Sequence, residues 1–282
     1  MCGGGMLALL AQREAWSYVV CRQCGHGQLS PIPSADELRE FYEASYFEAS
    51  SSGGYANYVA DEPLHRLNSG GRLKRLARAG VSGGKLLDIG CAAGFFLDEA
   101  RKAGFSVVGQ DVSRWARHFA RDTLGLEVVS SVDEILPAQR ASFRCVTLFQ
   151  LLEHDPDPRA LLHKVHALLQ PGGVLVVETW RRDSLIARLF GRYWQQLSPP
   201  SVIHLFSQKS ALALAAETGF TDIKLQSSSK TVSAPFVGNL LAKKHPFLFT
   251  PLAWLTSRWP MKYVSAPYAL GDLVTMTARK LP

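Results

Sequence analysis

Between residues 85 and 180, short apolar runs alternate with stretches whose apolar residues recur every three or four positions. The run "KLLDIG" predicts a strand, Phe95–Ala103 a helix, "SVVGQD" a strand, and Ser113–Leu124 a helix that Ser113 can cap. "LEVVSS" and "FRCVTLFQ" follow as strands, then a helix over Arg159–Leu169 and the strand "GVLVVET". Farther on come a helix over Ser207–Thr218 capped by Ser207 and the strands "TDIKLQ" and "GDLVTMTARK". Upstream, Ser34 to Gly80 reads as helical. Ser34 with Glu37 three residues later makes a capping box, and the run Ser50–Gly54 separates this helix from a second around Pro63–Ala79. Such alternation predicts an α/β fold with a doubly wound, mostly parallel sheet. The expected organisation is a cysteine-bearing segment over 1–33, a helical lead-in over 34–80 and the main domain over 81–282. Residues 231–266, rich in aromatics and proline, read as an insertion that covers a pocket.

Composition adds little to this fold. With 282 residues, 47% hydrophobic and 20% charged, the chain is an ordinary globular protein. The net charge of +7 permits polyanion partners, but the basic clusters at 66–78, 181–192 and the last forty residues read as solvated helix faces, so no nucleic-acid partner is expected. "MCGGGMLALLAQREAW" has no basic leader, and the apolar region Phe236 to Trp259 is interrupted by Lys243, Lys244, His245 and two prolines. An ordinary transmembrane helix is thereby excluded, and five cysteines fit reduced thiols or metal ligands; a cytoplasmic location is expected.

The chemistry starts at "KLLDIGCAAGFFLDEA". In doubly wound sheets ligands bind beyond the carboxyl ends of the strands, where Gly90 permits a tight turn and Gly94 a close backbone approach. Asp111, ending the next strand, suits the two hydroxyls of a ribose. A nicotinamide dinucleotide and S-adenosylmethionine both fit so far. Ala92, standing where the dinucleotide fingerprint has its second glycine, hinders a pyrophosphate, and no third glycine follows at Phe95. The Asp88 carboxylate would repel a pyrophosphate but suits a sulfonium with its amino group.

"LLDIGCAAG", "QDVS", "LFQLLEHDPDP" and "LLQPGGVLVVET", in that order, resemble the motif series of class I S-adenosylmethionine-dependent methyltransferases, most closely the small-molecule branch with the quinone-biosynthesis enzymes. The resemblance covers roughly residues 34–282. It implies a seven-stranded Rossmann-like sheet, S-adenosylmethionine as cofactor and a small-molecule acceptor methylated at oxygen. Asp88, Gly90, Ala92 and Gly94 would line the methionine part of the cofactor, Asp111 the ribose and Val112 the adenine. Ser131 and Val132 would neighbour the adenine edge, and Phe149 and Gln150 would face the sulfonium.

Methyl transfer is an in-line displacement, and a base is needed only where the nucleophile holds its proton tightly. His154, after Glu153, and His204, in "SPPSVIHLFS", are the candidates, with Tyr193, Trp194 and His204 expected to contact the acceptor. His118, His163, His166 and His245 are expected at the surface. No G-x-S-x-G or H-E-x-x-H pattern supports a hydrolase.

"CRQCG" is half of a zinc ribbon. Many relatives of the family carry two such knuckles before the helical lead-in, so Cys2, Cys21 and Cys24 are candidate zinc ligands, with His26 a strained fourth; the alternative is a β-hairpin with unligated thiols. Cys91 is expected to pack inside the glycine turn and Cys145 within a strand. Phe236, Phe247, Phe249, Trp254 and Trp259 suggest an apolar or aromatic acceptor, or contact with a membrane surface. Methylation of RNA or protein, and a non-catalytic protein that retains the cofactor fold, are the competing functions; oligomeric state is not legible.

Overall fold

The chain was analysed as a computed structural model that describes residues 6–13, 15–42, 58–235, 237–238, 242, 250–251, 254–258, 260–261 and 264–282. A seven-stranded sheet forms its centre. The strands are β4 (Gly84–Ile89), β5 (Phe105–Gln110), β6 (Val128–Val129), β7 (Phe143–Phe149), β8 (Leu169–Trp180), β10 (Phe220–Ser227) and β13 (Leu273–Lys280), in the order β10-β13-β8-β7-β4-β5-β6. β4 pairs in parallel with β5 on one side and β7 on the other, whereas β13 is antiparallel to both β8 and β10. Leu86, Leu87 and Ile89, Val146 and Leu148, and Leu175, Val176 and Val177 are all fully buried. Strands covered on both faces read as continuous apolar runs rather than alternations, which is why "KLLDI" and "VLVV" look as they do.

Helices cover the two faces. α3 (Phe95–Lys102) and α4 (Arg114–Leu124) follow β4 and β5; α5 (Val132–Ile135) follows β6; α6 (Pro158–Leu168) follows β7; α7 (Leu185–Phe190) follows β8; and α8 (Gln208–Glu217) precedes β10. Each begins as its sequence dictates: Ser113 and Asp157 accept backbone N–H bonds from Ala116 and Ala160, and Ser207 forms a capping box with Ser210. The lead-in contributes α1 (Ala35–Phe41), with the Ser34–Glu37 box in place at 3.2 and 2.7 Å, and α2 (Glu62–Arg78). The glycine and serine run Ser50–Gly54 lies outside the described residues.

Residues 7–30 form a meander of β1 (Leu7–Arg13), β2 (Trp16–Cys21) and β3 (Gly27–Ser30), and β9 (His204–Leu205) adds to it through Gly27↔Leu205 and Gln28↔His204. The amino-terminal segment is thus stitched to the connection after β8, over a shared core that includes Tyr18, Leu29, Trp180, Trp194 and Leu205. Between β10 and β13, β11 (Lys230–Ser233) and β12 (Ser265–Tyr268) pair antiparallel at the base of the expected insertion. Phe236, Phe247, Phe249 and Trp259 lie outside the described residues, and Trp254 is exposed. Among the described residues no helix is long and apolar enough to cross a membrane. His118 and His163 are exposed, while His166 packs edge-on against Phe220; His245 lies outside the described residues.

Candidate functional site

Strand order reverses between β4 and β7, and a cavity of about 710 Å³ opens beyond their carboxyl ends. The glycine turn forms its floor. Gly90 has φ +72°, and a Cβ there would meet Leu151 Cδ1 at 2.8 Å, so a side chain is excluded by both backbone and space. Ala92 and Gln150 are left-handed at φ 48° and 55°, strain that in folded chains concentrates where a ligand is gripped. Both line the cavity.

Asp111 holds this turn. Its Oδ2 accepts the Ala92 N–H at 2.8 Å and its Oδ1 the Ser113 N–H at 2.9 Å, tying the β4 turn to the start of α4. An ionised carboxylate has about four acceptor positions, so two remain for a ligand's hydroxyls. Asp88, 3% exposed, accepts from Thr147 Oγ1 at 2.6 Å. Burial raises its pKa to about 7, against the Thr147 bond and the Arg72 charge that favour the anion. Asp88, Gly90, Ala92, Asp111, Val112, Ser131, Phe149, Gln150 and His154 all line one cavity.

Five expectations meet a different placement. Gly94 does not line the cavity; it caps α3 at φ 84°, where a Cβ would lie 2.7 Å from Leu126 Cδ1. Val132 sits in the core as the first residue of α5. His204 is 5% exposed: pairing with β3 turns it inward, its Nδ1 3.1 Å from His26 Nε2 and its ring beside Phe206. Trp194 is buried with Nε1 donating to Asp272 Oδ2 at 3.0 Å, and Tyr193 is exposed beneath Arg192. None of the last three reaches the cavity lining.

Among the described residues zinc finds no ligand set: no three His, Cys, Asp or Glu side chains are grouped to hold a metal, and His26 is taken by His204. Cys21 and Cys24 are buried, and Cys2 lies outside the described residues. Cys91 packs under the turn and Cys145 within β7, both buried thiols whose ionisation is suppressed by desolvation.

The basic stretch at 66–78 is a solvated face only in part: Lys74 and Arg78 are exposed, whereas Arg72 and Arg75 turn inward. His65, Asn68, Ser69, Arg72 and Arg75 lie along one stripe of α2 at helical spacing and line the cavity. Arg72 and Arg75 reach the buried Glu178, near the end of β8, at 2.8 and 2.9 Å, and Arg72 also lies over the Phe149 ring at 4.2 Å. Gln150 Nε2 donates to Glu178 at 3.2 Å, and Lys230 Nζ donates to Gln150 Oε1 at 3.0 Å. Asn68 exchanges two bonds with the Thr231 backbone, at 2.7 and 2.9 Å. The i, i+3, i+4, i+7 recurrence of these polar residues was the available signal.

On the opposite side His154 lines the cavity beside Tyr42. Its Nδ1 lies 2.6 Å from the Ser201 main-chain oxygen and 3.1 Å from Tyr42 Oη. A carbonyl can only accept, so Nδ1 carries the proton and Nε2 keeps its lone pair.

With this geometry in place, the comparisons are decisive. The model of the "Methyltransferase domain" family matches residues 61–225. The chain belongs to this methyltransferase family. It is an S-adenosylmethionine-dependent methyltransferase, and the Asp111 carboxylate, with two acceptor positions left beyond its bonds to Ala92 and Ser113, fits the ribose of such a donor. Similar sequences include a ubiquinone biosynthesis O-methyltransferase of Alkalilimnicola ehrlichii, 29% identical over 76% of this chain and 96% of that protein. One of Xanthomonas oryzae is 30% identical over 62% of this chain and 77% of that protein. Among solved structures, an S-adenosylmethionine-dependent methyltransferase of Thermotoga maritima superimposes with a TM-score of 0.52 at 20% identity, covering 79% of this chain and 92% of that one. The phosphoethanolamine N-methyltransferase 2 of Haemonchus contortus gives 0.57 at 17% identity, covering 91% of this chain and 63% of that one. These two likenesses describe the fold.

Proposed function

We propose that this methyltransferase methylates a hydroxyl group of a small molecule, with His154 as the base. The relatives named as O-methyltransferases support oxygen as the acceptor atom. The observation that carries the role of His154 is its Nδ1 bond to the Ser201 oxygen, which leaves Nε2 as an acceptor at the cavity wall.

S-adenosylmethionine, when bound, supplies an electrophilic methyl group on a sulfonium. The residues of this chain bind, orient and deprotonate. Asp111 accepts from ribose hydroxyls while bracing the turn, and Val112, more than half exposed into the opening, packs against the adenine. Asp88 and the Gln150 end of β7 face the methionine portion. As the acceptor oxygen takes the methyl group, its proton passes to His154 Nε2 and from there to solvent, leaving an ether and a neutral thioether. Such proton transfer is worth about 10²–10⁴ in rate, the remainder coming from alignment in a site shielded from water.

The test is turnover with S-adenosylmethionine on a panel of phenolic and aliphatic hydroxyl compounds, with products identified by mass. A methyl ether is expected. Tight binding of S-adenosylhomocysteine without any methyl ether, or with product at nitrogen only, would sink this reading.

A further inference from the structure

The His154 ring is held from two separate elements. Its Nδ1 lies 2.6 Å from the Ser201 main-chain oxygen, in the connection after β8, and 3.1 Å from the Oη of Tyr42, the residue that ends α1. The two contacts constrain each other. Since the carbonyl can only accept, the nitrogen carries the proton, and the Tyr42 oxygen on the same nitrogen can only accept a share of it. One N–H is thus divided between two oxygens, a three-centre bond. The Tyr42 and His154 rings meet at 89° with centroids 6.3 Å apart. Tyr42 is placed by its helix. The Ser34–Glu37 box starts α1, Leu38 is buried in the core with Trp180, and the Tyr42 N–H bonds the Leu38 oxygen at 3.0 Å. Leu38 and Tyr42, four apart on one helical face, both line the cavity.

We infer that Tyr42 is a positioning residue for methyl transfer: its hydroxyl oxygen, together with the Ser201 carbonyl, fixes the His154 ring and stabilises the imidazolium formed when the acceptor's proton reaches Nε2. This rests on the reading of His154 as the base and adds a residue of the lead-in helix to its chemistry. The gain falls on the transition state. A hydrogen bond from a cationic ring is roughly twice as strong as one from a neutral ring, so the Tyr42 contact strengthens as the proton is transferred. An interaction that grows in this way lowers the barrier rather than merely the ground state. The neighbouring acids do not replace it. Glu153 and Asp155 flank His154 on its own loop, and burial raises the pKa of both carboxyls, with Glu153 accepting from Thr179 Oγ1 at 2.7 Å. On the adjoining β9, His204 faces His26, and on β11 the Lys230 ammonium donates to Gln150.

The experiment is an NMR titration of the full chain with isotope-labelled histidine rings, saturated with S-adenosylhomocysteine, the His154 signals being assigned by their loss in His154→Gln. The wild-type ring is expected to carry its proton on Nδ1 at high pH. Tyr42→Phe keeps the aromatic ring and removes only the oxygen. Its His154 titration midpoint is expected at least about half a pH unit below that of the wild type, because an acceptor that favours the cation has gone. Glu153, Asp155, His204 and Lys230 are common to both proteins and drop out of the difference. In turnover, kcat is expected to fall by up to about tenfold, with the KM for S-adenosylmethionine retained. A midpoint shared by the two proteins overturns the inference, as does a kcat that Tyr42→Phe leaves unchanged. It is overturned equally by a wild-type ring protonated at Nε2, with Nδ1 accepting from the Tyr42 hydroxyl. That tautomer is read on the wild type alone, so the test stands even where Tyr42→Phe fails to fold. Because the titration needs no turnover, absence of an ether product would count against the O-methylation reading alone.

Discussion

The Nδ1 of His154 lies 2.6 Å from the main-chain oxygen of Ser201, and the Glu153 oxygen in turn accepts the N–H groups of Ile203 at 2.8 Å and His204 at 2.9 Å. The connection after β8 is therefore laced to the loop after β7 on both sides of one residue pair. This lacing engages Nδ1 and leaves Nε2 as the nitrogen proposed to take the acceptor's proton. His154→Gln keeps a hydrogen-bonding side chain but removes the base. We expect kcat to fall by about 10²–10⁴ while S-adenosylhomocysteine affinity by calorimetry stays within a few-fold.

Burial raises the pKa of Asp88 to about 7, within the range where enzymes work. A positively charged ammonium beside it favours the ionised form, so binding below that value must first expel a proton. S-adenosylhomocysteine affinity is therefore expected to rise by up to about tenfold per pH unit between about pH 5 and about pH 7 and then level off. Asp88→Asn should flatten the profile. A pH-independent dissociation constant in the wild type would show that Asp88 does not face the ammonium.

Asp111 serves both turn and ligand. Removing it as Asp111→Ala frees the buried N–H groups of Ala92 and Ser113 together with the proposed ribose contact. Cofactor affinity is expected to drop at least about 100-fold, and the melting temperature of the unliganded protein should fall as well, since each orphaned buried donor costs about 1–3 kcal/mol. Asp111→Asn, whose remaining oxygen can hold one of the two N–H groups, should recover part of the stability but little of the affinity.

Much of this fold was legible because its signals are local. Continuous apolar runs bounded by glycine and aspartate marked the buried parallel strands, and Ser34, Ser113 and Ser207 announced the helices they cap. The floor of the cavity was legible for the same reason: Asp88 to Ala92 and Asp111 to Val112 are each a strand end with its turn. What was hidden depends on long-range pairing. β9 is two residues long and has no periodicity of its own, so nothing local says that Leu205 pairs with Gly27 and draws His204 away from the cavity. A row of arginines reads alike whether water or a buried carboxylate faces it, and Glu178 looked like no more than the end of the strand "GVLVVET". Lys230 follows a strand without any motif.

The buried pair His26 and His204 allows the structural role of His204 to be separated from a catalytic one. Desolvation lowers their pKa values to about 3 and about 4, so the folded chain keeps both rings neutral where an unfolded chain, near 6.5, takes up protons. With the unfolded state binding more protons, stability falls as pH drops from about 6.5 towards about 4, by an amount on the order of 2–3 kcal/mol for His204. Asp88 contributes with the opposite sign over a similar range, being protonated in the fold and ionised when unfolded, so the wild-type melting curve alone mixes the two. His204→Gln isolates one part. Its melting temperature is expected below that of the wild type at neutral pH, because a packed ring is lost, with the deficit shrinking towards pH 4, while kcat at neutral pH is retained. A kcat reduced as far as in His154→Gln, with melting unchanged, would return His204 to the chemistry.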